Sequence, residues 1–215
     1  MKKSIAQLRR SYEKAKLTED SVCTDPFEQF QVWFDQNLKI NKDDPTAMAL
    51  ATVDKKGMPA NRIVLLKDYN QENGFSFYTN YDSRKAKQIK DNPKASLLFY
   101  WPQTERQIRI EGKIKKLSKA ASEVYFHQRP RESQIGAWAS EQSSSIPDRN
   151  YLEKTVSDLT RFFDNHKQIP LPPFWGGYTL MPSYFEFWQG RPNRLHDRII
   201  YTLVKRSWKI GRLAP

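Results

Sequence analysis

The sequence predicts an α+β protein whose sheet is mainly antiparallel. Three observations carry that expectation. Short apolar stretches separated by turn residues fill the middle of the chain, helical patterns follow them, and strand patterns return after the Pro-rich break Ile169-Pro170-Leu171-Pro172-Pro173. Strands joined by turns suggest hairpins and a sheet or barrel in place of a βαβ array. No repeat or Gly/Ser linker divides the chain, so the late strands complete one sheet. Residues 1–25 are polar and read as a mobile arm, and residues 26–215 read as a single domain.

Each element has a local reason. Asp25 can cap a helix that Pro26 opens, and Phe27, Phe30, Trp33, Phe34 and Leu38 recur on one helical face as core. Residues 46–53 read as a buried strand, and Asp54-Lys55-Lys56-Gly57 as the turn of a hairpin. Further strands are expected at 61–67, 75–80 and 95–101. Residues 106–116 alternate cleanly, with Ile108, Ile110 and Ile114 on one face and Gln107, Arg109 and Glu111 on the other. A short polar helix is expected at 83–92. Ser118 can cap a helix that Pro130 ends, and residues 151–166 place Leu152, Val156, Leu159, Phe162 and Phe163 on one side. The last strands are expected at 178–181, 184–188, 199–204 and 208–213.

Composition narrows the function. The 215 residues carry 36 Lys+Arg against 24 Asp+Glu, a formal net charge of +12. Hydrophobic residues are 38% and aromatics 13%, too many for a disordered basic tail. No stretch nears the roughly 20 apolar residues of a membrane span. The basic N-terminus has no apolar signal region behind it, so a soluble, cytoplasmic protein is expected. The one cysteine, Cys23, excludes an internal disulfide and has no neighbouring base. His127, His166 and His196 lack metal-ligand spacing, so no metal site is expected. The chain has no Gly-x-Gly-x-x-Gly, no Walker loop and no Gly-x-Ser-x-Gly elbow. Any phosphate must therefore be held by side chains and by strand or loop amides.

Four clusters combine cations with hydroxyl or amide donors. In Arg62-Ile63-Val64-Leu65-Leu66-Lys67, strict alternation puts Arg62 and Lys67 on opposite faces. They either serve two different anions or are simply charged strand ends. Tyr78-Thr79-Asn80 leads into Ser83-Arg84-Lys85, a strand end with hydroxyls and a helix start with two cations, suited to a phosphate monoester or to solvent. Tyr125 and Arg129 share a helical face with Ser133 after the Pro130 turn, and Gln142-Ser143 adds neutral donors, unless this stretch is a flexible polar loop. Trp188-Gln189-Gly190 leads to Arg194-Leu195-His196-Asp197-Arg198, where a ring-shaped ligand could pack, or where a salt-bridged turn could simply close.

These blocks, with Phe77-Tyr78-Thr79-Asn80, Ser133-Gln134-Ile135-Gly136-Ala137-Trp138 and Phe174-Trp175-Gly176-Gly177, closely resemble the pyridoxine/pyridoxamine 5′-phosphate oxidase family. The resemblance runs from Leu8-Arg9-Arg10 to Arg212-Leu213-Ala214-Pro215. It implies an FMN-binding split β-barrel with flanking helices, acting as a homodimer with the flavin at the interface. The implied reaction oxidises pyridoxamine or pyridoxine 5′-phosphate to pyridoxal 5′-phosphate, with O₂ reduced to H₂O₂. Carried over residue by residue, Arg62, Ile63, Val64, Leu65, Leu66, Lys67, Tyr78, Thr79, Arg84, Lys85, Gln107, Gln142, Ser143, Trp188 and Arg198 are the implied FMN contacts. Lys67, Tyr125, Arg129 and Ser133 are implied to hold the substrate phosphate. Arg194 and His196 are implied to be catalytic, with Leu195 beside the substrate, and Arg9, Arg10, Ser11 and Tyr12 to close over it. On this reading Arg62 and Lys67 need not converge, because two phosphates belong to two ligands.

Two other classes stay open on sequence alone. A non-catalytic carrier would bind flavin and vitamer without electron transfer. A nucleic-acid-binding module would use the +12 charge, although the cations sit beside hydroxyls in short clusters and not in one basic run. Neither a nucleic acid nor a membrane is an expected partner.

Overall fold

The computed structural model describes residues 4, 5 and 10–215, so Arg9 lies outside the described residues. After a 3₁₀ turn at Glu19–Ser21 come α1 (Pro26–Ile40), β1 (Ala47–Val53), β2 (Pro59–Leu65), β3 (Asp68–Asn70), β4 (Gly74–Asn80) and α2 (Arg84–Asp91). Next are β5 (Lys94–Trp101), β6 (Arg106–Lys116), α3 (Lys119–Gln128), α4 (Arg131–Ala139) and α5 (Arg149–Phe163). The chain ends with β7 (Trp175–Gln189), a 3₁₀ turn at Pro192–Arg194, β8 (Asp197–Val204) and β9 (Ser207–Arg212). The strands hydrogen-bond in the order β2-β1-β5-β6-β7-β4-β3, with β8 on β7 and β9 on β8. The four pairs β3–β4, β4–β7, β7–β8 and β8–β9 are antiparallel.

The described residues form two compact units. One gathers the described residues up to Leu50 with Ser96–Gly112 and Pro182–Pro215; the other gathers Ala51–Ala95 and Lys113–Met181. In the first, the aromatic stripe of α1 makes the core. Asp25 accepts hydrogen bonds from the Phe27 and Glu28 amides and so sets the helix start, as the sequence expects. The Phe30 ring meets Phe99 edge-on at 5.2 Å, Trp33 meets Phe187 at 5.3 Å, and Phe27 meets Phe185 at 5.4 Å. Leu38, expected on the same face, is exposed in the last turn. In the second unit Phe126, Ile135, Phe163, Ile169 and Trp175 form a buried cluster under α3, α4 and α5.

Three elements differ from expectation. The strand expected at 61–67 runs instead over Pro59–Leu65, and a short β3 follows. The stretch after Pro130 is the helix α4, opened without a side-chain cap, where the sequence assigned no helix and left a flexible polar loop as the alternative. Two strands expected around Pro182 are one long β7. That strand pairs with β4 through Leu180 and with β8 from Tyr184, so no ladder pair to either falls on residues 181–183. A proline, which has no N–H to give, is tolerated at such a change of partner.

Candidate functional site

In the second unit a cavity of about 620 Å³ gathers residues from elements distant in sequence. The end of β2 supplies Ile63, Val64 and Leu65, with Lys67 just beyond. The end of β4 supplies Tyr78, Thr79 and Asn80, and α2 supplies Lys85. Tyr125, Arg129, Ser133 and Gln142 come from α3, α4 and the segment after α4, and Trp175 from the start of β7.

Lys85 is placed by its helix. The Ser83 hydroxyl accepts the Ala86 amide and starts α2, whose first turn holds Arg84 and Lys85 and no acidic residue. Two cations at the positive end of a helix are unfavourable unless an anion joins them. Lys85 Nζ donates to Gln142 Oε1 at 2.9 Å and to Thr79 Oγ1 at 3.1 Å, and Thr79 itself donates to Gln142 Oε1. Burial, reinforced by nearby Arg62, lowers its pKa to about 8. Arg62 is fixed beside it, donating to Thr52 Oγ1 at 2.6 Å and Gln88 Oε1 at 3.2 Å. Burial and the Arg84 charge depress the Arg62 pKa as well.

The other end of the cavity is aromatic and cationic. Tyr78 and Tyr125 stack at 4.0 Å, and Tyr78 stacks on Trp175 at 5.4 Å. Arg129, at the C-cap of α3, lies 4.8 Å over the Trp175 ring. Its Nη1 is buried with no hydrogen-bond partner among the described residues, and burial lowers its pKa. A buried guanidinium N–H without an acceptor costs about 1–3 kcal/mol, which an entering anion would recover. Ser133 is half-buried at the rim. Among the described residues, Lys67, Lys85 and Arg129 have no carboxylate in ion-pair range.

The first unit holds a second cavity, of about 590 Å³, lined by Arg10, Ser11, Tyr12, Trp188, Arg191, Asn193, Arg194 and His196. The rings of Trp188 and His196 lie 4.6 Å apart, and Tyr12 meets both edge-on, at 5.8 Å and 5.7 Å. Asn193 and Arg194 are both left-handed, at φ 55° and 63°. Such backbone is costly for side-chain-bearing residues and is kept where its surroundings over-determine it. The pKa of His196 is lowered by burial and by Arg194, against an opposing pull from Asp197.

The structure thus sorts the sequence candidates into two groups and leaves others apart. Leu66 is a core residue, Leu195 is 67% exposed, and Arg84, Gln107 and Ser143 line neither cavity. Arg198 forms a two-pronged pair with Glu186, at 2.8 Å and 3.1 Å. Sequence reasoning gave no role to Trp175, Arg191 or Asn193, and named Asn80 only within the Tyr78-Thr79-Asn80 cluster. The signal for Trp175 was its place before Gly176-Gly177. At those glycines a Cβ would lie 2.2 Å from the Tyr81 hydroxyl and 2.8 Å from the Tyr78 ring, so the backbone lies close under both tyrosines.

A mainly antiparallel sheet carries a cavity whose cations Lys67, Lys85 and Arg129 have no carboxylate partner among the described residues, a donor set that fits anionic small molecules. The comparisons with known proteins are more specific. Residues 34–162 match the family model described as pyridoxamine 5′-phosphate oxidase, and residues 175–215 match that of the pyridoxine 5′-phosphate oxidase C-terminal dimerisation region. A pyridoxine/pyridoxamine 5′-phosphate oxidase of Bordetella petrii is 51% identical over 213 residues, covering 99% of this chain and 100% of the relative. One from Rippkaea orientalis is 52% identical over 212 residues, covering 98% and 99%. Among solved structures, PhzG from Burkholderia lata in complex with tetrahydrophenazine-1-carboxylic acid superposes with a TM-score of 0.84 at 28% identity, covering 91% of this chain and 95% of that one. The chain belongs to the pyridoxamine 5′-phosphate oxidase family, and its fold is the split β-barrel with flanking helices that the resemblance implied. Among the described residues no helix is long and apolar enough to cross a membrane.

Proposed function

We propose that this chain is an FMN-dependent oxidase that converts pyridoxamine 5′-phosphate and pyridoxine 5′-phosphate to pyridoxal 5′-phosphate with O₂ as acceptor. It would work as a homodimer with the flavin at the subunit interface, each subunit supplying both groups of residues. The observation that carries this reading is the cavity in which, among the described residues, Lys67, Lys85 and Arg129 have no carboxylate in ion-pair range and Arg129 Nη1 is buried without an acceptor. That donor set fits two phosphate esters and would be unfavourable without anions.

On this reading Arg62, Lys85, Thr79 and Gln142 hold the flavin phosphate, with Arg84 at the helix start and the apolar strand 63–66 along the cofactor. Gln107, Ser143, Trp188 and Arg198 remain proposed flavin contacts. Lys67, Tyr125, Arg129 and Ser133 hold the substrate phosphate. The bound flavin supplies the two-electron redox chemistry. The chain's own residues bind, orient and shield. Anchoring the remote phosphate provides binding energy that can be spent on aligning the reacting carbon. Arg194 presents a cation to the pyridine ring's polar edge, and His196 addresses the amine or hydroxyl. Tyr12 and its neighbours Arg10 and Ser11 limit water access to the Trp188–His196 cavity.

The test is spectroscopic. The purified protein should show, or be reconstituted to show, a flavin spectrum that bleaches on anaerobic addition of pyridoxamine 5′-phosphate. A protein that cannot be loaded with FMN would refute the reading, and a flavin left oxidised would make the chain a carrier.

A further inference from the structure

Glu105 has a buried carboxylate, 3% exposed, that belongs to neither cavity. It sits in the turn between β5 and β6 with a left-handed φ of 58°, a conformation unfavourable for a non-glycine residue. Among the described residues, the carboxylate's hydrogen bonds all go to the N-terminal segment. Oε1 accepts from Arg10 Nη2 at 2.8 Å, and Oε2 accepts the Glu13 and Lys14 amides at 2.9 Å and 3.1 Å. Its backbone carbonyl faces the other way. It accepts the Gly190 amide at 2.8 Å and Gln189 Nε2 at 3.2 Å. Gln189 is fully buried and takes Arg106 Nε at 2.9 Å.

One residue therefore joins the segment 10–14 to the point where the Arg191–His196 loop leaves β7. Between those attachments Tyr12 lies on Gly190: a Cβ there would fall 2.8 Å from the tyrosine ring. The same ring contacts Trp188 and His196, and the Arg10 guanidinium lies 5.7 Å from it. If the turn alone needed support, the backbone carbonyl would suffice. A buried charge directed wholly at residues 10–14 is costly unless holding that segment matters.

We propose that Glu105 is a positioning residue for the reaction, acting through Arg10 and Tyr12 to hold residues 10–14 over the Trp188–His196 cavity and so tighten substrate binding. This rests on the function proposed above, in which that cavity receives the substrate ring.

The experiment compares FMN-loaded wild type with Glu105→Gln, and with Arg10→Met as a variant whose removed side chain is half exposed. Two readouts are taken: steady-state kinetics with pyridoxamine 5′-phosphate, and trypsin cleavage after Lys14 and Lys16. Losing a charge-assisted hydrogen bond corresponds to about 10- to 100-fold in binding. Glu105→Gln should therefore raise KM by about tenfold or more with kcat within about threefold, and should speed cleavage after Lys14 and Lys16. Arg10→Met should move both readouts the same way but by less, because the Glu13 and Lys14 amides still bond the carboxylate, and adding Glu105→Gln to it should bring them to the level of Glu105→Gln alone. A wild-type cleavage rate in Glu105→Gln would show that Glu105 does not hold the segment. Faster cleavage with unchanged KM would show that the held segment does not serve the substrate, and either result overturns the proposal. If wild type fails to oxidise the substrate at all, the proposed function falls, and with it the substrate role of Glu105, while the cleavage rates still report whether Glu105 holds the segment.

Discussion

The backbone N–H of Arg191 is donated to Nδ1 of His196 at 3.1 Å. A backbone amide can only donate, so Nδ1 is the acceptor and the ring proton of the neutral imidazole sits on Nε2. Burial and the Arg194 charge both disfavour a second proton, and Asp197 opposes them. His196 thus offers the cavity a neutral N–H donor. Donation through Nε2 is better copied by glutamine than by asparagine. His196→Gln should retain more of the rate of anaerobic flavin reduction than His196→Asn, and equal losses would remove the donor role.

The depressed His196 pKa also sets a pH dependence. Its folded value lies below the unfolded one of about 6.5, so its contribution to stability is complete above that value and is lost as pH falls through the folded pKa. The flavin-reduction rate should stay level through pH 6.5 and fall only at lower pH. A rate that rises on acidification through 6.5 would mean that the imidazolium is the active form.

Arg129 separates ligand binding from folding. Its Nη1, without a partner among the described residues, is a liability in the free protein and an asset with a phosphate bound. Arg129→Met should raise KM for pyridoxamine 5′-phosphate by about 10- to 100-fold, the range of a charged hydrogen bond. The unphosphorylated amine should be oxidised equally well by both proteins, and the ligand-free variant should melt no lower than wild type. A matching loss with the unphosphorylated amine would move Arg129 off the phosphate.

Lys85 gives an opposite pair of pH effects. With a pKa of about 8 in the ligand-free fold against 10.5 ordinarily, the folded state disfavours its proton. Stability should therefore rise between about pH 8 and 10.5, while affinity for FMN should weaken over the same rise, because the anion needs the ammonium. Thermal melts and FMN titrations of wild type and Lys85→Gln check both. The variant should show a flatter profile in each, and an unaltered FMN titration curve would exclude Lys85 from the phosphate site.

How much of this was legible in the sequence follows from how local each signal is. The caps at Asp25, Ser83 and Ser118 are satisfied within three residues, so their helices could be read directly. The strand β7 could not, because whether Pro182 breaks it depends on which strands lie alongside. Helix α4 lacks a side-chain cap and was missed for that reason. The clusters around Thr79–Lys85 and Tyr125–Ser133 were visible as donors near cations, but their convergence on one cavity depends on the sheet order. Strict alternation does not reach Lys67, because β2 ends at Leu65; Lys67 lines the cavity, while Arg62 donates to Thr52 and Gln88. Arg198 illustrates the converse: its place in the motif is plain, while its pairing with Glu186 arises from the β7–β8 register.

The contact of Tyr12 with Gly190 is open to a test by shape alone. The Gly190 backbone does not lie in the left-handed region, so alanine is conformationally acceptable there. Its methyl group would nevertheless meet the Tyr12 ring at 2.8 Å and the Tyr12 Cβ at 2.9 Å, closer than carbon atoms pack. Either the ring or the segment carrying it must move away from Trp188 and His196. Gly190→Ala should therefore raise KM several-fold and change the near-ultraviolet circular dichroism of the Tyr12–Trp188 pair. In a Tyr12→Gly background the ring and its Cβ are both gone, so the Gly190 substitution should become nearly silent, giving a strongly non-additive cycle. Additive effects would mean that Gly190→Ala disturbs the Arg191–His196 loop directly, because the loss would then persist without the tyrosine.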